Sequence, residues 1–130
     1  MRILFADDFA AFRMTASEWL EEDGHAIEAA KSGRDAAKLM ASKSFDLLIT
    51  DIIMPDGDGI ELIRDVRKSQ PSPKIVAVSA GSEHLGPDFY IAMAKRFGAD
   101  AVMLKPFDRQ QLRDIILGLF PASDGEAMAP

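Results

Sequence analysis

A short apolar segment that ends in an aspartate constrains this chain more than any other feature. Residues 45–54 run Phe-Asp-Leu-Leu-Ile-Thr-Asp-Ile-Ile-Met, and turn-forming residues follow at once in residues 55–59. An apolar run this short, bounded by turn formers, is typical of a strand that is buried on both faces, as in a parallel sheet. The segment therefore predicts a central parallel strand with Asp51 at its carboxyl end, where open α/β sheets place their binding sites.

Other apolar runs along the chain also end in polar residues. Residues 3–6 precede Asp7 and Asp8, residues 74–78 precede Ser79, and residues 101–104 precede Lys105. Each run is predicted to be a strand, and a weaker alternation predicts one more at residues 25–29. Helical periodicity between the runs predicts helices over about residues 10–23, from 32–33 onward, over 60–69, over 88–97, and from an Asp108 cap to about 119.

The predicted strands and helices alternate five times. This order predicts an α/β fold, with a doubly wound, five-stranded parallel sheet and helices on both faces. The 130 residues suffice for one such domain. We expect this domain to span residues 1–121 and to be followed by a flexible tail at residues 122–130, which are small and polar.

Composition excludes several classes of function. The net charge of -6 argues against sequence-independent DNA binding, and the absence of cysteine excludes disulfides, thiol catalysis and zinc–thiolate sites. No apolar run approaches the roughly 20 residues of a membrane span. The apolar stretch at the amino terminus is too short for a signal peptide, so we predict a cytoplasmic location.

The polar strand ends form one chemical group if the sheet is parallel. Asp7, Asp8 and Asp51 would then lie close together, and their mutual repulsion would be relieved by a hard divalent cation such as Mg²⁺. Lys105 adds a charge suited to a phosphoryl oxygen, and Ser79 adds a hydroxyl donor. These side chains together predict phosphoryl transfer with a carboxylate as the nucleophile.

The same residues, in the same order, give the chain a resemblance to a known family. Over about residues 1–121 it resembles the receiver domains of bacterial two-component response regulators, including the single-domain chemotaxis regulators. The resemblance implies a flavodoxin-like (βα)5 fold with strand order 2-1-3-4-5. It is carried by Asp7-Asp8, Asp51 to Pro55, Asp58-Gly59, Ser79-Ala80 and Lys105-Pro106-Phe107.

The resemblance implies roles for individual residues. Asp51 would accept the phosphoryl group, and Asp8 and Asp51 would bind Mg²⁺ directly, with the backbone carbonyl of Ile53 and with Asp7 acting through water. Lys105 would pair with the phosphoryl group. The Ser79 hydroxyl would move towards it after transfer.

The resemblance also implies a cis peptide bond before Pro106, and it implies partners. The phosphoryl donor would be a sensor histidine kinase or a histidine phosphotransferase, and the phosphorylated α4-β5-α5 face would bind a downstream protein. Neither nucleic acid nor membrane would be a direct partner, and a weak homodimer is compatible with the family. The chain would be a phosphoacceptor that assists its own phosphorylation and dephosphorylation, and no separate enzymatic activity is expected. Because no output domain follows residue 121, we expect a stand-alone receiver; the alternative is a domain cut from a longer chain, for which the tail would suit a linker.

The chain departs from the family pattern in several places, among them one position in the last predicted strand and the length of one interval. Receivers commonly carry an aromatic residue three positions before the lysine, where this chain has Val102, so Phe89 and Tyr90 are candidates to take its place. The interval from Ser79 to Lys105 is longer than usual, and we expect the extra residues in the loop at residues 81–87 to undergo the main change on phosphorylation.

Other functions share parts of the pattern. A phosphate shuttle or sink in a phosphorelay would use the same residues but pass the phosphoryl group on. An aspartyl-phosphate phosphatase of the haloacid dehalogenase type would need a second aspartate two residues after its nucleophile, but the residue two after Asp7 is Phe9. An FMN carrier of the flavodoxin type would need a phosphate loop in place of Asp7-Asp8, whose charges repel phosphate.

Overall fold

Strands and helices alternate along the chain in the computed structural model, which describes residues 1–54, 59–80 and 86–121. In these ranges the strands are β1 (Arg2–Ala6), β2 (Ala26–Ala30), β3 (Leu47–Asp51), β4 (Lys74–Ser79) and β5 (Ala101–Leu104). The helices are α1 (Ala10–Glu22), α2 (Gly33–Ser42), α3 (Gly59–Arg67), α4 (Pro87–Phe97) and α5 (Arg109–Leu119). The predicted order of elements is confirmed. The predicted tail at 122–130 lies outside the described residues.

The strands form one parallel sheet in the order β2-β1-β3-β4-β5. Ile3 is in register with Leu47, and Thr50 with Ala77. Since all the strands are parallel, their carboxyl ends lie at one edge of the sheet. β2 lies on one side of β1, and β3 lies on its other side. The direction in which strands are added therefore reverses between β1 and β3. Such a reversal is where doubly wound sheets bind their ligands, and the predicted fold class and strand order are confirmed.

Side chains from the sheet divide between two apolar layers. Leu4, Leu48 and Ile75 pack with residues of α2 and α3, such as Ala36 and Ile63, on one face. Ile3, Phe5, Ile49 and Val76 pack on the other face with residues of α1 and α5, among them Leu20 and Leu112. All residues of β3 are buried, as the continuous apolar run predicted. Asp51 therefore ends a strand that is covered on both faces.

Local hydrogen bonds explain where the elements begin and end. The Asp108 carboxylate accepts from the Gln111 N–H at 2.8 Å, and the Gln111 side chain accepts from the Asp108 N–H at 2.8 Å, which confirms the predicted cap. The His25 N–H bonds to the Leu20 carbonyl at 3.1 Å. Because this bond still belongs to the helix end, β2 begins one residue later than predicted. The Ser69 N–H bonds to the Val66 carbonyl, three residues back, so α3 has already ended by residue 67.

Asp23, just after α1, ties this helix to α5 by ion pairs. Its carboxylate lies 2.6 Å from Arg109 Nη2 and 2.7 Å from Arg113 Nη2. The pKa of Asp23 is lowered to about 2, chiefly by the hydrogen bond from Arg113 and next by the one from Arg109. Because the folded pKa is below the ordinary value of 3.8, the ionised carboxylate stabilises the fold. That stabilisation is present above pH 3.8 and is lost as the pH falls towards 2.

We predict that Asp23→Asn lowers the urea midpoint of unfolding at pH 7 by a modest amount, since both partner arginines are partly exposed to water. The difference from the wild type should shrink as the pH falls from 4 towards 2. Glu21→Gln, which removes an exposed carboxylate from the same end of α1, serves as the control. A difference that stays constant across this pH range would contradict the assignment.

In the part of the chain that the structure describes, none of the helices combines the length and apolar character that crossing a membrane requires.

Candidate functional site

The predicted site residues converge at the carboxyl edge of the sheet. Asp7 directly follows β1, Asp51 and Ser79 end β3 and β4, and Lys105 directly follows β5. Hydrogen bonds continue the pairing of neighbouring strands past their ends. The Asp7 N–H bonds to the Ala30 carbonyl at 3.0 Å, and the Lys105 N–H bonds to the Ser79 carbonyl at 2.9 Å. These backbone hydrogen bonds therefore fix the Cα positions from which the Asp7 and Lys105 side chains extend.

Three carboxylates meet at this edge. One oxygen from each of Asp7, Asp8 and Asp51 lies within 4.8 Å of the others. Asp7 is 1% exposed and Asp51 is 8% exposed, whereas Asp8 faces solvent. Oxygen ligands with one side open to water suit Mg²⁺, which commonly binds one or two carboxylates and retains several waters. The donor set therefore fits the cation that the sequence predicted.

Burial dominates the electrostatics of Asp51. It raises the pKa of the carboxyl above 3.8, and the Asp7 charge adds to this effect, while the hydrogen bond and charge of Lys105 oppose it. Because the pKa is raised, protonated Asp51 stabilises the fold; this contribution is full below pH 3.8 and is lost as the pH rises through the raised pKa. At neutral pH the negative charge of ionised Asp51 is therefore only partly balanced by its surroundings, and a bound cation would balance it further.

Lys105 bridges two of the carboxylates. Its Nζ lies 2.7 Å from an Asp7 oxygen and 2.9 Å from an Asp51 oxygen, and the side chain is only 17% exposed. Burial alone would lower the pKa of Lys105, but its bonds to Asp7 and Asp51 outweigh burial and raise the pKa above 10.5. The lysine is therefore charged, and it is held beside the carboxylate that was predicted to be the nucleophile.

Asp7 is held by several groups. Its Oδ1 accepts from the Phe9 N–H at 2.8 Å, and its backbone carbonyl accepts from Arg13 Nη1 at 2.7 Å. The Arg13 contact was missed from the sequence, because a side chain that bonds to a backbone carbonyl six residues earlier leaves no periodic signal. Arg13 helps to fix the backbone from which the Asp7 carboxylate extends.

Gly59 packs directly against the backbone of Asp51. Its N–H bonds to the Ile52 carbonyl at 2.8 Å, and a Cβ at this position would lie 2.0 Å from the Asp51 carbonyl oxygen. Only glycine allows this approach. In the sequence this glycine was noted as a turn former and as part of the family resemblance, and its contact with Asp51 emerges from the structure.

The remaining predicted residues differ in how much of each is exposed to solvent. Ser79 is 1% exposed, whereas Ile53 is 43% exposed and donates its N–H to Asp51 Oδ1 at 3.3 Å. Val102 and Tyr90 are half-buried against the core layer that contains Leu4. Of the loop at residues 81–87, which was expected to change on phosphorylation, residues 81–85 lie outside the described residues.

Two further expectations concern single positions. The peptide bond between Lys105 and Pro106 is cis, as the resemblance implied. Phe89 and Tyr90 form an edge-to-face pair with ring centres 5.3 Å apart, and Phe89 is 46% exposed. Whether either residue replaces the aromatic that is missing at Val102 stays a prediction.

Comparison with known proteins gives a consistent result. A family model described as the response regulator receiver domain matches residues 3–117. The chemotaxis protein CheY of Thermotoga maritima is 31% identical over 107 residues, which cover 82% of this chain and 86% of that protein. The transcriptional regulatory protein ResD of Bacillus subtilis is 31% identical over 111 residues, which cover 85% of this chain and 44% of that protein. The chain thus spans less than half of the length of ResD, as it does for several other curated relatives.

Solved structures show the same likeness. A receiver domain protein from Methanospirillum hungatei superposes with a TM-score of 0.82 at 27% identity, covering 91% of each chain. The response regulator TrrA from Thermotoga maritima, in complex with Mg²⁺ and BeF, superposes with a TM-score of 0.78 at 32% identity, covering 91% of this chain and 97% of that one.

Proposed function

This chain belongs to the response regulator receiver domain family of two-component systems, and we propose that Asp51 is the residue that accepts its phosphoryl group. One observation carries the proposal. The Asp51 carboxylate lies at the carboxyl end of the central strand, 2.9 Å from the Lys105 ammonium and within 4.8 Å of oxygens of Asp7 and Asp8. The residues proposed as the nucleophile, its cationic partner and the metal ligands thus lie close together.

We propose that the donor is a phosphohistidine on a sensor histidine kinase or a histidine phosphotransferase. An Asp51 oxygen would form a bond to phosphorus while the phosphorus–nitrogen bond breaks, and the leaving imidazole would take up a proton. Lys105 would pair with a phosphoryl oxygen as charge shifts from Asp51 onto the transferred group.

The metal ligands proposed are Asp8, Asp51 and the Ile53 carbonyl, with Asp7 in support. Mg²⁺, when bound there, would neutralise phosphoryl oxygens and orient the group for in-line attack. The Mg²⁺–BeF complex of TrrA, which shares the fold at 32% identity, supports this assignment. The Lys105 contacts hold Asp7 and Asp51 beside each other.

For the response, we propose that the Ser79 hydroxyl moves towards the phosphoryl group and changes the α4-β5-α5 face, which then binds a downstream protein. Ser79 ends β4, the strand that precedes α4, so a movement there would be passed along the chain to that helix. A cytoplasmic location follows from this role.

Membership of the receiver family argues against the phosphatase and FMN-carrier alternatives. A phosphate shuttle or sink would differ only in the fate of the phosphoryl group, and the phosphoryl lifetime would distinguish it.

Mg²⁺ with beryllofluoride, which mimics a phosphoryl group, tests the site without covalent chemistry. We predict that the pair raises the thermal midpoint of the wild type, because a ligand that binds only the folded state adds about 2.7 kcal/mol at 100 times its Kd. Asp8→Asn should lose most of this shift, while Asp65→Asn, an exposed carboxylate in α3, should keep it. Equal shifts in the two variants would contradict the proposed site.

A further inference from the structure

The Phe12 ring in α1 lies under the ammonium of Lys105. The distance from Lys105 Nζ to the ring centre is 4.9 Å, within the range of cation–π attraction. Phe12 is half-buried. Other aromatic rings fix its orientation, since the Phe107 ring stands edge-on at 4.9 Å and the Phe5 ring lies at 6.1 Å.

We propose that Phe12 is a positioning residue for phosphoryl transfer, acting through Lys105. The ring would hold the ammonium in place when the reaction removes part of its attraction to Asp51. This inference rests on the proposed function, because it assigns Phe12 to the reaction at Asp51.

The reaction affects the neighbours of the ammonium unequally. In the described residues, the structure places Asp7, Asp51 and the Phe12 ring around Lys105 Nζ. As an Asp51 oxygen bonds to phosphorus, its negative charge moves onto the phosphoryl group and its attraction for the lysine weakens. The ring keeps its negative face throughout. Its attraction for the ammonium is the same before and during transfer, so the ring would act by holding Lys105 where it can pair with the phosphoryl oxygen, and not by binding the transition state more tightly.

An aliphatic side chain would fill the same space but would lack the negative face. The ring's electrostatic role can therefore be separated from its packing role by changing its electron density at nearly constant volume. Progressive fluorination of a phenylalanine ring does this, because fluorine withdraws the density that attracts a cation.

The test replaces Phe12 site-specifically with mono-, di- and trifluorophenylalanine and measures the Mg²⁺-dependent rate of Asp51 phosphorylation by acetyl phosphate. The rate should fall stepwise, to about two- to fivefold below the wild type for the trifluoro ring. Phe45 provides the matched control. Its ring contacts Arg2, 5.7 Å from the ring centre, at the opposite end of β3, so trifluorination there should leave the rate unchanged.

A second readout needs neither metal nor phosphoryl donor. The Lys105 side-chain protons should show an upfield NMR shift from the Phe12 ring, which Phe12→Leu should remove and Phe12→Tyr should keep. A rate that is constant across the fluorinated series, in a chain that is normally phosphorylated at Asp51, would overturn the inference. If the wild type forms no Asp51 adduct, the proposed function fails instead. The inference, which rests on that function, fails with it; in a chain that is phosphorylated at Asp51, an NMR shift that persists in Phe12→Leu would overturn the inference alone.

Discussion

Replacing Lys105 by methionine is expected to slow Mg²⁺-dependent phosphorylation of Asp51 by about 100-fold, the usual effect of removing one preorganised group that stabilises transition-state charge. Methionine has a similar length but no charge. The ammonium now lies 2.7 Å from Asp7 and 2.9 Å from Asp51, with its side chain 17% exposed, so water would replace it poorly. The measurement is the rate of adduct formation with acetyl phosphate, followed by intact mass.

The same variant should lose stability, because two buried carboxylates lose their shared partner. Breaking a buried ion pair by removing one member costs about 3 kcal/mol or more, and added Mg²⁺ should restore part of this loss. Lys74→Met is the control, since Lys74 is exposed at the opposite end of the sheet, at the start of β4. A phosphorylation rate for Lys105→Met close to that of Lys74→Met would mean that Lys105 does not act on the transferred group.

Replacing Gly59 by alanine is expected to destabilise the fold by about 1–3 kcal/mol and to displace Asp51. The new Cβ would lie 2.0 Å from the Asp51 carbonyl oxygen and 2.8 Å from the Ile52 Cα. Both are backbone atoms, so they cannot move aside as the end of a flexible side chain could. The start of α3 or the end of β3 must therefore shift. We expect a lower urea midpoint together with slower Asp51 phosphorylation.

Gly118 provides a control with the opposite expected sign. It lies in α5, and a Cβ there would meet no atom within 4 Å. Gly118→Ala should therefore stabilise the chain by up to about 1 kcal/mol, since alanine is the better helix former. If Gly59→Ala proved as harmless as Gly118→Ala, the close packing of α3 on Asp51 would be refuted.

The sequence predicted most of the fold because local and global signals agree. The wholly buried β3 produced a continuous apolar run, and the Asp108 cap marked the start of α5. Errors were confined to boundaries. The alternation at residues 25–29 did not show that the His25 N–H still bonds to the helix before it.

The members of the candidate site were also predictable, because a parallel sheet brings the carboxyl ends of its strands together. The groups that support them were not. Arg13 bonds to a backbone carbonyl, Phe12 serves both the core and Lys105, and Gly59 is required by a contact with Asp51. Each of these depends on the distance between two elements. A pattern along the chain carries no such distance.

The central claim is that Asp51 is the phosphoacceptor, and intact mass tests it most directly. The wild type and Asp51→Asn would each be incubated with acetyl phosphate, with and without Mg²⁺, after both are shown to be folded. The account predicts a single phosphoryl adduct on the wild type that requires Mg²⁺ and is absent from Asp51→Asn. An adduct of equal yield on Asp51→Asn, or none on the folded wild type with Mg²⁺ present, would contradict it.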